Sequence, residues 1–316
     1  MRELVLRGLD VSVLLRTTSD RAALADLPVK LAFGDLSDPS SLKRAVSGID
    51  LLFHVAADYR LWVPDAERMH DINVKGTIQL LQAAVEAGVQ RIVYTSSAVT
   101  IRCPAERLGT EADFMLAGDC RSTYQRTKVL AEQAVRLLIG QGAPVVIVNP
   151  STPIGMGDRR PTPTGRLVVD YLNGRLPTFV ETALNWVSAE DVARGHWLAA
   201  GRGQIGERYI LGHENLSLGQ FFHILADVSG QPAPRVKIPY AVAYAAGAIG
   251  SAWGWISGKE PRAALEGVRM AARPMRYDSR KAIRELGLPQ TPIRVAAAEA
   301  VRWFREQGYV TRGGVQ

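Results

Sequence analysis

Short β-branched runs alternate with helical patterns through the first half of the chain. The runs cover residues 11–15, 29–33, 51–55, 91–95 and 145–149, and each is apolar enough for a buried strand. Between them, residues 40–47, 69–87 and 124–139 repeat apolar side chains at the spacing of a helix face. This alternation predicts an α/β fold with a doubly wound, Rossmann-type parallel sheet covered by helices on both faces.

The amino-acid composition of the sequence changes after Pro150. The segment STPIGMGDRRPTPTGR is dense in proline and glycine, and the later chain mixes helices with short strands less regularly. We therefore predict a dinucleotide-binding domain over residues 1–155, to which residues 183–205 return. A smaller substrate-binding region is predicted over residues 156–182 and 206–316.

Composition narrows the functional class. The formal charge of +7 could suit nucleic acid, but the arginines are scattered and no basic run is interleaved with aromatic residues. A solvated, mildly basic surface is the preferred interpretation, and an anionic small ligand would also suit it. Cys103 and Cys120 have neither metal-site spacing nor the pattern of a disulfide framework, which predicts a reducing cytoplasm and no metal centre.

Two segments bear on membranes. The amino-terminal residues carry Glu3 and Asp10 within the apolar run and lack a small-residue cleavage site, so they are a poor signal peptide. Residues 238–258, IPYAVAYAAGAIGSAWGWISG, approach the length of a membrane span but are rich in alanine and glycine. We predict a buried or peripheral helix of a soluble domain there, with a membrane contact as the alternative.

Ligands of doubly wound folds bind outside the carboxyl ends of the strands, so residues at the strand ends are the first candidates for cofactor binding. Arg16 ends the run VSVLLR, where an arginine suits the 2′-phosphate of NADP and an acidic residue would suit NAD. Asp35 and Leu36 follow the next strand, where they can contact adenine. Val55, Ala56 and Ala57 come next and are small enough for the backbone to approach a flat cofactor. Taken singly, each also fits ordinary surface or helix packing.

A tyrosine and a lysine four residues apart stand at the start of the third predicted helix. The strand before it ends in Thr95, Ser96 and Ser97, and the helix begins RSTYQRTK, with Tyr124 and Lys128 on one face. A nearby ammonium group and an oxidised nicotinamide are both expected to lower the pKa of the phenol. The pattern therefore predicts proton transfer by Tyr124 near neutral pH.

Motifs along essentially the whole chain resemble the extended short-chain dehydrogenase/reductase family, also described as the NAD-dependent epimerase/dehydratase family. They are GDL at Asp35, HVAA, NVKGT, YTSS, YQRTK and NPSTPIG. Within it, HVAADYRLWVPD, GERYILGHENLSL and RWFREQGY look most like the hopanoid-associated sugar epimerases, a branch near the dihydroflavonol 4-reductases.

The resemblance implies roles for particular residues. Ser97 would hydrogen-bond the substrate oxygen and Tyr124 would act as acid and base. Lys128 would hold the nicotinamide ribose, and Asn73 would position a water or the active-site helix. The remaining cofactor contacts would come from Thr95, Pro150, Thr152 and Pro153.

Such a fold has a first strand and a glycine-rich turn that holds the pyrophosphate. MRELVLRGLDVSVLLR instead matches the end of the first helix running into the second strand. A misplaced start and a real truncation are the two explanations. Loss of that central strand is expected to leave its two neighbours with unpaired edges.

The sequence thus predicts an NADP-preferring oxidoreductase or epimerase, with NAD as the alternative cofactor. Hydride would move at a secondary alcohol or ketone carbon of a sugar-like, isoprenoid-like or polyketide-like substrate. A dihydroflavonol-reductase-like enzyme and a non-catalytic NADP sensor are the alternatives. Substrate choice is assigned to residues 238–258 and to Trp62, Asp158, Arg159, Arg166 and Tyr171. The resemblance also implies a homodimer through the helices at 69–87 and 124–139.

Overall fold

The computed structural model describes residues 1–261 and 264–311. The strands are β1 (Ser12–Leu15), β2 (Lys30–Phe33), β3 (Leu51–His54), β4 (Arg91–Thr95), β5 (Val145–Pro150), β6 (Thr152–Ile154), β7 (Thr178–Phe179), β8 (Ala183–Ser188), β9 (Arg208–Leu211), β10 (Glu214–Ser217) and β11 (Val236–Lys237).

The α-helices are α1 (Arg2–Leu6), α2 (Pro39–Val46), α3 (Ala66–His70), α4 (Gly76–Glu86), α5 (Thr123–Gly140), α6 (Pro163–Leu172), α7 (Ala189–Arg202), α8 (Leu218–Ser229), α9 (Tyr240–Ser257), α10 (Leu265–Ala271), α11 (Arg280–Leu286) and α12 (Ile293–Glu306). A π-helical turn, Asp71–Lys75, joins α3 to α4.

The main sheet is parallel, with strand order β3-β4-β5-β9. Alternate residues of its strands enter different cores, as the period of a strand requires. Ile92, Tyr94 and Ile147 pack with α2, α4 and α5, whereas Val93 and Val148 pack with α7 and α11. The predicted α/β fold with helices on both faces of a parallel sheet is confirmed, and the five predicted strands lie within one residue of their observed bounds.

The first two strands form a separate parallel pair, β1-β2. Within the described residues, no strand is hydrogen-bonded between β1 and β3. Instead, β1 and β3 both line one open cavity of about 2370 Å³. The edges of β1 and β3 that face this cavity are therefore unpaired, as the sequence predicts.

The later chain builds a second core around the three-stranded sheet β10-β8-β6. Its centre is Trp186, which is fully buried and stacks on Phe221 with ring centroids 3.6 Å apart. The chain then re-enters the main sheet at β9, which pairs with β5. The strand β9 (Arg208–Leu211) lies outside residues 183–205, which were predicted to return to the dinucleotide-binding domain, and inside residues 206–316, which were predicted to bind substrate. The division into domains stays a prediction.

Residues 240–257 of the proline-led apolar segment form α9, as predicted for a helix. In the described part of the chain, no helix combines the length and apolarity that crossing a bilayer requires. Much of α9 is nevertheless exposed, including Ile249, Trp253 and Ile256.

Candidate active site

The cavity between the two sheets collects the residues predicted for the adenosine half of a cofactor. Its lining includes Arg16, Asp35, Leu36 and residues 55–57, all just past the carboxyl ends of β1, β2 and β3. Val55, the residue after β3, is 59% exposed there, an unusual state for a valine. A ligand lying across these strand ends would cover it.

The carboxylate of Asp35 is held in place by hydrogen bonds from Ser37, two residues later in the chain. It accepts hydrogen bonds from the backbone N–H (2.9 Å) and hydroxyl (2.7 Å) of Ser37, and these bonds lower its pKa. Arg16 and Arg68 lower that pKa further through their charge. Arg68, which the sequence analysis did not single out, also lines the cavity. Two cations therefore lie near the place predicted for the adenosine ribose.

Tyr124 stands in the first turn of α5. The helix begins after Ser122, whose hydroxyl accepts from the backbone N–H of Gln125 at 3.0 Å. Burial raises the pKa of Tyr124, and the neighbouring Ser97 hydroxyl partly opposes that rise. The expected lowering by Lys128 is not seen. The phenol is consequently protonated at neutral pH and suited to give a proton.

Lys128 points at the end of β4 rather than at the phenol of Tyr124. Its ammonium donates to the carbonyl of Thr95 at 2.8 Å and lies 3.5 Å from the hydroxyl of Tyr94. Burial lowers its pKa to about 8, while the Glu132 carboxylate acts to raise it. The Thr95 hydroxyl is used elsewhere, in a 2.8 Å contact with Nε2 of His196.

The titration of Lys128 predicts how activity depends on pH. Below its pKa of about 8 the group is a cation, so kcat/KM is expected to fall as pH rises through that value. The contribution of Lys128 to the free energy of unfolding changes in the opposite direction and increases as pH rises. Between about 8 and the unfolded value of 10.5 the unfolded chain binds the extra proton, so this group favours folding more as pH increases.

Measuring kcat/KM and the melting temperature across the same buffers tests both trends. The exposed Lys43→Met variant serves as a control and should keep the same profile. A kcat/KM that stays constant well beyond the pKa of Lys128 would contradict the assigned need for its charge.

Asn73 lies in the π turn and connects the loop after β3 to α5. Its side-chain carbonyl accepts from the backbone N–H of Asp58 at 2.7 Å. Its amide donates to the Asp58 carbonyl (2.8 Å) and to the Thr127 hydroxyl (3.0 Å). All of its bonds thus hold the loop after β3 against α5. This geometry supports the positioning role that the resemblance implies.

A buried carboxylate, Glu132, holds the turn that carries Ser97. It accepts from the hydroxyls of Ser96 and Thr100 and from the amide of Asn149, the last at 2.9 Å. Its other oxygen pairs with Arg208 at 2.7 Å, and both side chains are about 95% buried. The Asn149 amide also donates to the carbonyl of Ser97 at 3.1 Å. The sequence analysis did not single out Glu132, because its burial depends on Arg208, which is distant in the sequence.

The strand predicted to face the nicotinamide is β5. Pro150 ends it and Thr152 begins β6, while Pro153 is exposed. Between them, the hydroxyl of Ser151 is buried and has no hydrogen-bond partner among the described residues. Such an atom is expected to find a partner when a ligand binds. The large cavity itself is not lined by Thr95, Pro150, Thr152, Pro153 or the residues predicted to be catalytic.

The residues assigned to substrate choice divide into two groups. Arg166 lines the cavity and pairs with Glu260 at 2.6 Å. Asp158 instead accepts from Thr162 within its own loop, and the Tyr171 hydroxyl donates to the Gln231 carbonyl at 2.7 Å in the second core. Trp62 and Arg159 are also outside the cavity lining. No cluster with metal-ligand composition occurs among residues 1–261 and 264–311.

Three comparisons place the chain among known proteins. A relative from Synechocystis sp. described as a putative dihydroflavonol 4-reductase is 40% identical and covers 98% of this chain and 92% of its own. The sterol demethylase protein B of Methylococcus capsulatus is 35% identical, over 98% and 95%. The crystal structure of gox2253 superimposes with a TM-score of 0.87 at 43% identity, over 98% and 94% of the two chains.

The family model described as NAD dependent epimerase/dehydratase family matches residues 1–212. The resemblance drawn from the sequence motifs is thereby confirmed. The chain belongs to the NAD-dependent epimerase/dehydratase family, and it is an NAD(P)-dependent enzyme of the extended short-chain dehydrogenase/reductase type.

Proposed function

We propose that the enzyme prefers NADP and catalyses hydride transfer at a secondary alcohol or ketone carbon, with Tyr124 moving the matching proton. The observation that carries this proposal is the meeting of Tyr124 and Ser97 at the end of β4, beside the buried cation of Lys128. Arg16 and Arg68 support the NADP preference through their charge near the adenosine site.

Residues of the site suit the two ends of the proposed cofactor, while no glycine-rich turn for its pyrophosphate lies among the described residues. The adenosine half would lie on residues 55–57 and Leu36, and the nicotinamide half near Ser151 and Lys128. When bound, the nicotinamide supplies or accepts the hydride.

In the reducing direction, the protonated phenol of Tyr124 gives its proton to the substrate oxygen. Ser97 donates a hydrogen bond to that same oxygen, so both groups stabilise the charge that develops on it. Lys128, held by the Thr95 carbonyl, keeps its positive charge at the end of β4, where it would hold the nicotinamide ribose, as the resemblance implies.

The cavity wall formed by α10 bears on the substrate. Ala264, Gly267, Val268 and Ala271 line it, and none of them carries a polar side chain. The names of the two relatives refer to a dihydroflavonol and a sterol, both polycyclic carbon skeletons. We infer a hydroxylated or oxidised isoprenoid-like or polyketide-like substrate. The hopanoid connection, the cytoplasmic location and a homodimer through α4 and α5 are part of this proposal.

An assay of cofactor consumption tests the function. NADPH oxidation should be followed with a dihydroflavonol, a 3-ketosteroid and a nucleotide sugar, and the products analysed for inverted centres. Net oxidation with either apolar ketone supports a reductase. An inverted sugar hydroxyl without net oxidation indicates the epimerase instead, because an epimerase returns the hydride to the same substrate. If none of the three substrates gives net NADPH oxidation or an inverted centre, the proposed reaction is contradicted.

Arg16 is expected to set the cofactor preference. Arg16→Ser should weaken NADPH binding by roughly 10- to 100-fold, the range for losing a charge-assisted hydrogen bond, and leave NADH nearly unchanged. Arg21→Ser is the matched control, because the Arg21 guanidinium already stacks on Phe33 at 4.9 Å. Fluorescence titration of both cofactors measures the effect. Equal losses for NADH and NADPH would show that Arg16 does not recognise the 2′-phosphate.

A further inference from the structure

The outward side of α9 is apolar along its whole length. Val242, Ile249, Trp253 and Ile256 are 54%, 71%, 66% and 79% exposed. Their spacing of seven, four and three residues keeps them on one side of a helix with 3.6 residues per turn. These four residues are called the α9 outer face below. Exposed apolar patches of this kind mark interaction sites.

The opposite side of α9 is fixed by glycines. A side chain added at Gly247 would meet Val268 and Leu265 of α10, and one added at Gly254 would meet Pro261 and Trp62. Close packing at these glycines holds the helix against the protein, so its outer face is presented as a rigid ridge. Eighteen helical residues make that ridge about 27 Å long.

The charges around α9 are positive. The helix itself contains no charged residue, while Arg235 precedes it and Lys259 follows it. Arg269 of α10 lies 3.4 Å from the Tyr244 hydroxyl. Within the described residues, none of these three cations has an ion-pair partner. Of the two nearby carboxylates, Glu260 pairs with Arg166, and Glu266 accepts hydrogen bonds from Thr123 at the start of α5.

We propose that the α9 outer face docks the enzyme onto an anionic membrane surface. Tryptophan and tyrosine favour the boundary between lipid headgroups and acyl chains, and isoleucine and valine favour the acyl region below it. The flanking cations complement anionic lipid headgroups. A second copy of this chain would present the same cations and repel them. The helix lies on the membrane, since it is not apolar enough to cross it.

The proposed membrane contact lies one helix away from the catalytic residues. On α10, Glu266 accepts from the backbone N–H (3.1 Å) and the hydroxyl (2.6 Å) of Thr123, at the start of α5. The Ser122 hydroxyl contacts the sulfur of Met270 at 3.3 Å. The same helix lines the cavity. Docking would bring the cavity beside the lipid, where an apolar substrate dissolves, and this last step rests on the proposed function.

Sedimentation with vesicles tests the docking without any substrate or cofactor. The full chain should bind vesicles of equal parts phosphatidylcholine and phosphatidylglycerol, and bind phosphatidylcholine alone more weakly. The double variant Ile249→Ser and Trp253→Ser should weaken binding by about tenfold or more, because two large side chains no longer enter the lipid. Ile205→Ser is the matched control: Ile205 is 54% exposed and lies after α7, away from α9.

Tryptophan fluorescence provides a second readout. Brominated lipid should quench the emission of the full chain, and the double variant should lose part of that quenching. Failure of the full chain to bind anionic vesicles, or equal binding by the double variant, overturns the proposal. A lower mass of the double variant in light scattering, without vesicle binding by the full chain, would assign α9 to self-association instead. Vesicle binding by a protein that reduces no ketone would leave docking intact and remove only the proposed function.

Discussion

Tyr124→Phe is expected to lower kcat by roughly 10²- to 10⁴-fold, the range for removing a general acid or base. The variant retains the ring and loses only the hydroxyl that gives the proton. Since Tyr124 does not line the cavity that would hold the adenosine half of the cofactor, NADPH affinity should stay within a few-fold of the parent protein. Steady-state rates and fluorescence titration measure the two quantities separately.

Tyr209→Phe is the control for this change. Tyr209 is fully buried in β9, and its hydroxyl accepts from the backbone N–H of Gln204, away from Ser97 and Lys128. Its kcat should therefore stay near that of the parent. Retention of full turnover by Tyr124→Phe would sink the acid–base assignment and leave the protein without a proton donor at that position.

Breaking the ion pair between Glu132 and Arg208 should be the most damaging single change to stability. Glu132→Leu leaves the Arg208 guanidinium buried and unpaired, which is expected to cost about 3–5 kcal/mol of unfolding free energy. It also releases Ser96, Thr100 and Asn149, so the Ser97 turn should lose its fixed geometry. Denaturant unfolding measures the loss.

The exposed pair Arg294–Asp227 is the matched comparison, with both side chains about 60% exposed. Arg294→Leu should cost only about 0–1 kcal/mol. The double variant Glu132→Leu and Arg208→Met should recover part of the loss, because no buried charge is left without its partner. If Glu132→Leu is no worse than Arg294→Leu, the buried network does not hold the turn.

The strands of the main sheet could be predicted because burial on both faces requires uninterrupted apolar runs. Residues 145–149 are such a run, and β5 begins at Val145 as expected. Tyr124 and Lys128 could be found because their spacing is a local property of one helix. The strand ends that line the cavity could be found for a similar reason, because each follows directly after its own apolar run.

Glu132 could not be predicted by the same reasoning. A glutamate on an amphipathic helix normally faces water, and its burial depends on Arg208, which lies 76 residues later in the chain. The direction of Lys128 was likewise not accessible, since it follows from the position of the Thr95 carbonyl on a neighbouring strand. Contacts between distant segments decide both features, and periodicity carries no information about them.

The π turn at Asp71–Lys75 adds one residue to what would otherwise be continuous α-helical winding from α3 to α4. Deleting one residue there would rotate the two flanking segments relative to each other by about 100°. Met69 on one side and Leu81 on the other are both fully buried, so neither segment is free to turn. With the inserted residue, the buried side chains of the two segments stay on one side. The Asn73 side chain still points to the loop after β3. An insertion or deletion in this turn is therefore expected to disturb the buried stripe and the position of Asn73 together.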